Sequence, residues 1–122
     1  MSQVVQFSNT PLKASSILGT RVVDVHAESL GNIKELVIDP ETGRVAYAVV
    51  AFGGFLGMGE KLFAIPFKSF DYDKANNQYT LQVPKTLLEK APGFDADHWP
   101  SMSDEHWNRD IHAYYGYSPY WE

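Results

Sequence analysis

Apolar positions along this chain recur with period two in short bursts separated by turn residues, the pattern of a small, mainly β domain. Tyr79, Leu81 and Val83 alternate with Thr80 and Gln82, the cleanest such run. Val22, Val23 and Val25 predict a first strand, His26 to Ser29 a turn, and Leu30-Gly31 the start of a second strand that Leu36-Val37-Ile38 continues. Asp39-Pro40-Glu41-Thr42-Gly43 is the strongest local signal. Asp can open a turn by bonding back to the backbone, Pro presets φ for the next position, and Gly can take the positive φ that closes a hairpin loop. The segment 45–52, VAYAVVAF, holds almost no polar residue. A strand apolar on both faces is covered on both, which predicts a closed or nearly closed barrel. Leu62 to Phe67 predicts a further strand, and Pro66, lacking an N–H for the ladder, belongs at a bulge or an edge. Phe70 and Tyr72 lead into a polar turn at 73–77.

The pattern changes at Pro84. Lys85 to Ala91 predicts a short helix with Pro84 at its first position, stopped by Pro92-Gly93. Ser103 can cap a second helix whose first turn holds Asp104 and Glu105, where the helix dipole favours negative charge. Trp107, Ile111, Tyr114 and Tyr115 share one face of that helix, and Gly116 is placed to end it. The organisation expected is an N-terminal arm (1–14) that could add an edge strand through Val4 and Val5, a barrel domain (15–84), and an acidic, aromatic-rich helical tail (85–122) packed on the barrel or on a neighbouring subunit.

A chain of 122 residues with 44% hydrophobic and 20% charged residues can bury a core as one domain. Cysteine is absent, which excludes disulfides, thiolate metal sites and cysteine nucleophiles. No basic-then-apolar start suggests a signal peptide and no apolar run approaches a membrane span, so a cytoplasmic protein is expected. Charge is uneven. Residues 1–93 carry nine acids and nine bases, whereas 94–122 carry six acids against Arg109 alone, so the net charge of −5 lies in the tail. Neither half offers the basic patch a phosphate backbone needs, which argues against direct nucleic-acid binding.

The chemistry on offer is sparse. Gly53-Gly54-Phe55-Leu56-Gly57-Met58-Gly59 invites comparison with a phosphate loop, but Glu60 follows Gly59, no Ser or Thr follows Lys61, and a strand comes next. A hairpin carrying three large apolar side chains is the plainer reading, and Phe55, Leu56 and Met58 become candidates for contact with a second chain. His106 and Asp110 stand one helical turn apart, a spacing two metal ligands can use, with His98 upstream; a third ligand on that face is missing, and His112 points elsewhere round the helix. These histidines read as solvated surface residues. Asp24, His26 and Glu28 would share a face only if their segment stayed extended. No nucleophile elbow, paired carboxylate or cofactor motif stands out, so no catalytic, metal or cofactor residue is assigned and an enzyme is not expected. The tail holds eight of the chain's 17 aromatics, all three Trp among them, so it must dock on something. The helix is expected on its own barrel; Trp107, Tyr120 and Trp121 join Phe55, Leu56 and Met58 as candidate interface residues.

Taken in order, LGNIKELVIDPETGRVAYAVVAFGGFLGMGEKLFAIPF resembles the PRC-barrel, the family named for the photosynthetic reaction-centre H subunit. The matching elements are Leu30-Gly31 before a strand, Asp39 with Gly43 at the hairpin, the apolar strand 45–52, and the ending Ala64-Ile65-Pro66. The resemblance covers roughly residues 15–84, while APGFDADHWP and YYGYSPYWE look like the helical extension of stand-alone bacterial members. It implies a β-barrel of five to six strands used in macromolecular assembly. In the H subunit that barrel sits against membrane-embedded subunits, and in the ribosome-maturation factor it binds a ribosomal protein; this chain shows neither a transmembrane helix nor the second domain of the maturation factor. What carries over is the assembly class. The function expected is therefore a protein-binding module of undefined specific role that self-associates as a homodimer, with a further protein partner open. The alternatives are a metal- or ligand-dependent enzyme using the tail histidines, and a ribosome-associated factor.

Overall fold

The Asp39–Gly43 segment closes a hairpin as its residues dictate. The Asp39 N–H donates to the Arg44 carbonyl and the Gly43 N–H to the Asp39 carbonyl, each at 2.8 Å, with Gly43 at φ 75°. The Asp39 carboxylate accepts from the Glu41 N–H at 3.0 Å. The computed structural model describes residues 11–52 and 61–122. In it this hairpin joins two of six strands: β1 (Arg21–Val23), β2 (Ser29–Ile38), β3 (Val45–Phe52), β4 (Lys61–Pro66), β5 (Phe70–Asp73) and β6 (Gln78–Leu81). They form one curled sheet in the order β4-β3-β2-β1-β6-β5. Every neighbouring pair is antiparallel except β1–β6, which is parallel. The expectation of a mainly β domain of five to six strands holds, the sheet being a curled half-barrel.

Strand β3 is buried on both faces, as its composition demanded, but the curl of the open sheet covers only one of them. Its register with β4 sets Val50 opposite Phe63 and Tyr47 opposite Pro66. Side chains alternate along a strand, so these two pairs face opposite ways. One face looks into the curl, where the Phe52 and Phe63 rings lie 4.8 Å apart. The other is covered by the tail, with Trp107 edge-on to Tyr47 at 5.5 Å. Val22, Ile33, Val49, Val50, Ile65 and Leu81 are fully buried in the core.

Two sequence expectations are corrected. Val25 does not continue β1: the Asp24 carboxylate accepts the N–H groups of His26 (2.8 Å) and Glu28 (2.9 Å), turning the chain and leaving Val25 61% exposed. A one-turn helix, α1 (Ala14–Ile17), precedes β1; residues 1–10, with Val4 and Val5, lie outside the described part. The long tail helix is capped by Asp104 rather than Ser103, since it is the Asp104 side chain that accepts the His106 N–H at 2.9 Å. That helix is α3 (Glu105–Tyr115), ended by Gly116 at φ 79° as predicted; the short α2 (Lys85–Glu89) follows Pro84. No helix among the described residues is long and apolar enough to cross a membrane.

Both sheet edges are blunted. Pro66 ends edge strand β4, where its missing N–H costs no ladder bond. Further back, Leu62 exchanges both backbone bonds with Phe94, each at 2.9 Å, so the segment after α2 caps that edge. The opposite edge, β5, is four residues long and carries Asp71 and Asp73, features that discourage pairing with another chain.

Candidate functional site

The most organised polar cluster among the described residues lies where the tail meets the N-terminal end of β3. Helix α3 buries Ile111 and Tyr115 against the sheet, together with two polar residues one turn apart, Asn108 and His112. Three groups hold the Asn108 side chain: its Nδ2 donates to the carbonyls of Met102 (2.9 Å) and Asp104 (2.8 Å), and its Oδ1 accepts from the Tyr47 hydroxyl of β3. The backbone carbonyl of Asn108 accepts from Nδ1 of His112 at 2.7 Å. With its proton on Nδ1, the imidazole presents Nε2 as an acceptor, and the Tyr120 N–H donates to it at 3.2 Å.

From Gly116 the chain turns back, the Tyr117 N–H bonding to the His112 carbonyl at 2.9 Å, and brings Tyr120 to the β2–β3 hairpin. There the Tyr120 hydroxyl donates to Asp39 at 2.9 Å, while Arg44 Nη1 donates to the Tyr120 carbonyl at 2.7 Å. The hairpin that stood out in the sequence is thus also the dock for the tail. Trp121 completes the layer, edge-on to the rings of His112 and Tyr120 and capped by the Arg109 guanidinium 5.4 Å from its centroid. Arg109 in turn bonds Glu105 (3.2 Å) and Glu122 (2.9 Å).

Electrostatics follow from this packing. Burial holds the His112 imidazole below its ordinary value, keeping it neutral, and raises the Tyr47 phenol well above the usual range. The Tyr120 hydroxyl, and after it the Glu41 N–H, hold the half-buried Asp39 carboxyl below its usual 3.8. Tyr120→Phe is therefore expected to raise the Asp39 pKa, read by NMR titration of its carboxyl carbon; no change would mean the contact does not persist in solution.

Among the sequence-derived candidates, Trp107 is half-buried and lines a small cavity of about 60 Å³ with Ala64 and Ile111, while Tyr120 and Trp121 are half-buried in the layer just described. The structure brings these three together on their own chain. Phe55, Leu56 and Met58 lie outside the described residues. His106 and Asp110 do meet, at 3.2 Å, on the exposed side of α3, but no group of three His, Asp or Glu side chains among the described residues could hold a metal ion. His112, expected to be solvated, is only 1% exposed. It sits beside Ile111 and one turn after Asn108, so the polar pair borders the apolar stripe and is carried inward with it. Asn108, His112, Tyr47 and Arg44 were missed; the one available signal was that i,i+4 polar pair next to Ile111 and Tyr115.

Beside the network, Arg44, Val45, Pro66, Phe67 and Lys68 surround an open cleft of about 640 Å³, with His112, Tyr120 and Glu122 along its tail side. A second cleft of about 540 Å³ lies between the Asp24–Glu28 turn and the start of α2. The buried network is suited to holding the tail, and the clefts are where a ligand could reach the protein.

No curated protein matches the chain. Among solved structures, one described as a 16S ribosomal RNA processing protein, RimM, from Pseudomonas aeruginosa is similar at 20% identity and a TM-score of 0.41. The alignment covers 67% of this chain and 50% of that one, so the chain spans half the length of that relative. The family model of the PRC-barrel domain matches residues 11–88, through all six strands and into α2. With more than half of its length matched, this chain belongs to the PRC-barrel domain family.

Proposed function

We propose that this chain is a protein-binding assembly module that self-associates as a homodimer, with the β3–β4 connection supplying the contact. The observation that carries the reading is the length and content of that connection. The ladder still pairs Phe52 with Lys61, where two to five residues would close a hairpin, yet eight residues intervene and include Phe55, Leu56 and Met58. Loops longer than their turn requires are where binding residues concentrate, and large apolar side chains in them favour a protein partner. A cytoplasmic setting belongs to the same proposal. Trp107, Tyr120 and Trp121 serve it by fastening the tail to the barrel.

Light scattering across a wide concentration range is expected to give twice the chain mass for the parent protein. The Phe55→Ser, Leu56→Ser double variant is expected to be a monomer with an unchanged thermal midpoint. A parent protein that stays monomeric throughout, or a double variant that stays dimeric, overturns the proposal. A double variant that unfolds would place these side chains in the core instead.

A further inference from the structure

The cleft between β3, β4 and the tail carries one cation that the fold uses only in part, Arg44, and one that it does not use, Lys68. Its floor is apolar: Ala46 and Pro66 are buried, Val45 and Phe67 half-buried. Pro66 has no N–H, so the floor lacks a backbone donor for water at that point. Arg44 is fixed by the bond from Nη1 to the Tyr120 carbonyl, and its other guanidinium nitrogens have no acceptor among the described residues. Lys68, in the 3-10 turn that follows β4, has no acceptor among them at all. Its charge still reaches the cleft wall, where it adds to burial in keeping His112 neutral. The acid on the rim, Glu122, is engaged by Arg109 at 2.9 Å, and nearby Asp39 by the Tyr120 hydroxyl.

We infer that this cleft binds a small organic carboxylate with an apolar body, the carboxylate meeting Arg44 and Lys68 and the body lying on Pro66 and Phe67. Each half of the site selects against a simpler ligand. A bare inorganic anion would leave the floor wet, whereas a neutral apolar molecule would leave both cations unanswered. The volume of about 640 Å³ suits a ligand of one or two rings. Arginine favours a planar carboxylate because its guanidinium can donate two parallel bonds to it. This site does not depend on the dimer contact, since none of its residues belongs to the β3–β4 connection.

The test is a titration of the full chain, followed by amide NMR, with three probes: 3-phenylpropionate, its neutral amide, and propionate. Phenylpropionate is expected to shift the Ala46, Phe67 and Lys68 amides, with the other two probes about tenfold weaker because each lacks one half of the match. Lys68→Gln is expected to weaken phenylpropionate about fivefold while leaving the thermal midpoint unchanged. Lys68 suits this control because, unlike Arg44, it does not help hold the tail. The inference fails if phenylpropionate causes no shift up to about 10 mM. It fails equally if all three probes bind alike, if the shifts map to the Asp24–Glu28 cleft, or if Lys68→Gln binds as well as the parent.

Discussion

Gly31→Ala is expected to destabilise the protein by about 3 kcal/mol, the upper range for forcing an extra methyl into a packed site. Gly31 lies in β2 where Asn32 pairs with Ala51, and a Cβ built on it would stand 2.0 Å from the Ala51 carbonyl oxygen and 2.9 Å from its carbon. Both atoms are backbone within the central β3 strand, so no side chain can swing aside; β2 and β3 would have to part. The useful comparison is Gly43→Ala. Gly43 has φ 75° but open space around it, so that variant meets only the conformational cost of a left-handed residue, roughly 1 kcal/mol. Thermal unfolding of the two variants should separate them by several degrees, with Gly31→Ala the lower. Equal midpoints would show that the sheet tolerates separation at this point and that the Leu30-Gly31 element is not there for close approach.

The second large effect concerns acid. Because burial holds His112 below the ordinary imidazole value of 6.5, the unfolded chain takes up this proton at a higher pH than the folded protein does. Above about pH 6.5 the ring is neutral in both states and its contribution is fully present. As pH falls below that, protonation favours the unfolded chain, and stability declines until the folded imidazole is protonated as well. In the folded state a proton on Nε2 would set one N–H against another, that of Tyr120, so the tail contact is the first thing lost. His112→Leu should cost about 2 kcal/mol at pH 8, by removing the Nε2 acceptor and the Nδ1 donor from a buried network. It should also remove the decline that sets in below about pH 6.5. Denaturant midpoints for both proteins across this range test it, and a decline that survives in His112→Leu assigns the acid sensitivity to another group. The lowered carboxyls of Asp24, Asp39 and Asp73 act below their ordinary value of 3.8 and fall outside this window.

What the sequence made legible was governed by backbone rules that act over a few residues. The Asp39-to-Gly43 hairpin, the edge position of Pro66 and the left-handed Gly116 each follow from what one residue type permits its own main chain. The doubly apolar β3 was legible for a similar reason, although composition alone did not say that a helix supplies one of its two covers. Where a reading turned on a distant partner, pattern was silent. Nothing in a run of polar helix residues shows that Asn108 will meet Tyr47, 61 residues earlier, or that Tyr120 will meet Asp39, 81 residues earlier. Val25 misled because its valine neighbours extended a strand pattern, while the side chain of Asp24 bonded the two N–H groups that turn the chain away. Ser103 and Asp104 are equally good caps by type, and only the geometry of the first turn chose between them.

The bridge between Leu62 and Phe94 bears on how the protein is made. The ribosome adds about 5–20 residues each second, and the last strand of the sheet is complete at Leu81. Phe94 follows by roughly another second, and α3 a little later still. In that interval a nascent chain presents β4 unsealed, and two chains growing side by side on one message could pair along it. The capping segment thus sets a time window as well as a boundary: the protein is exposed to its own copies for as long as translation takes to travel from β6 to the tail.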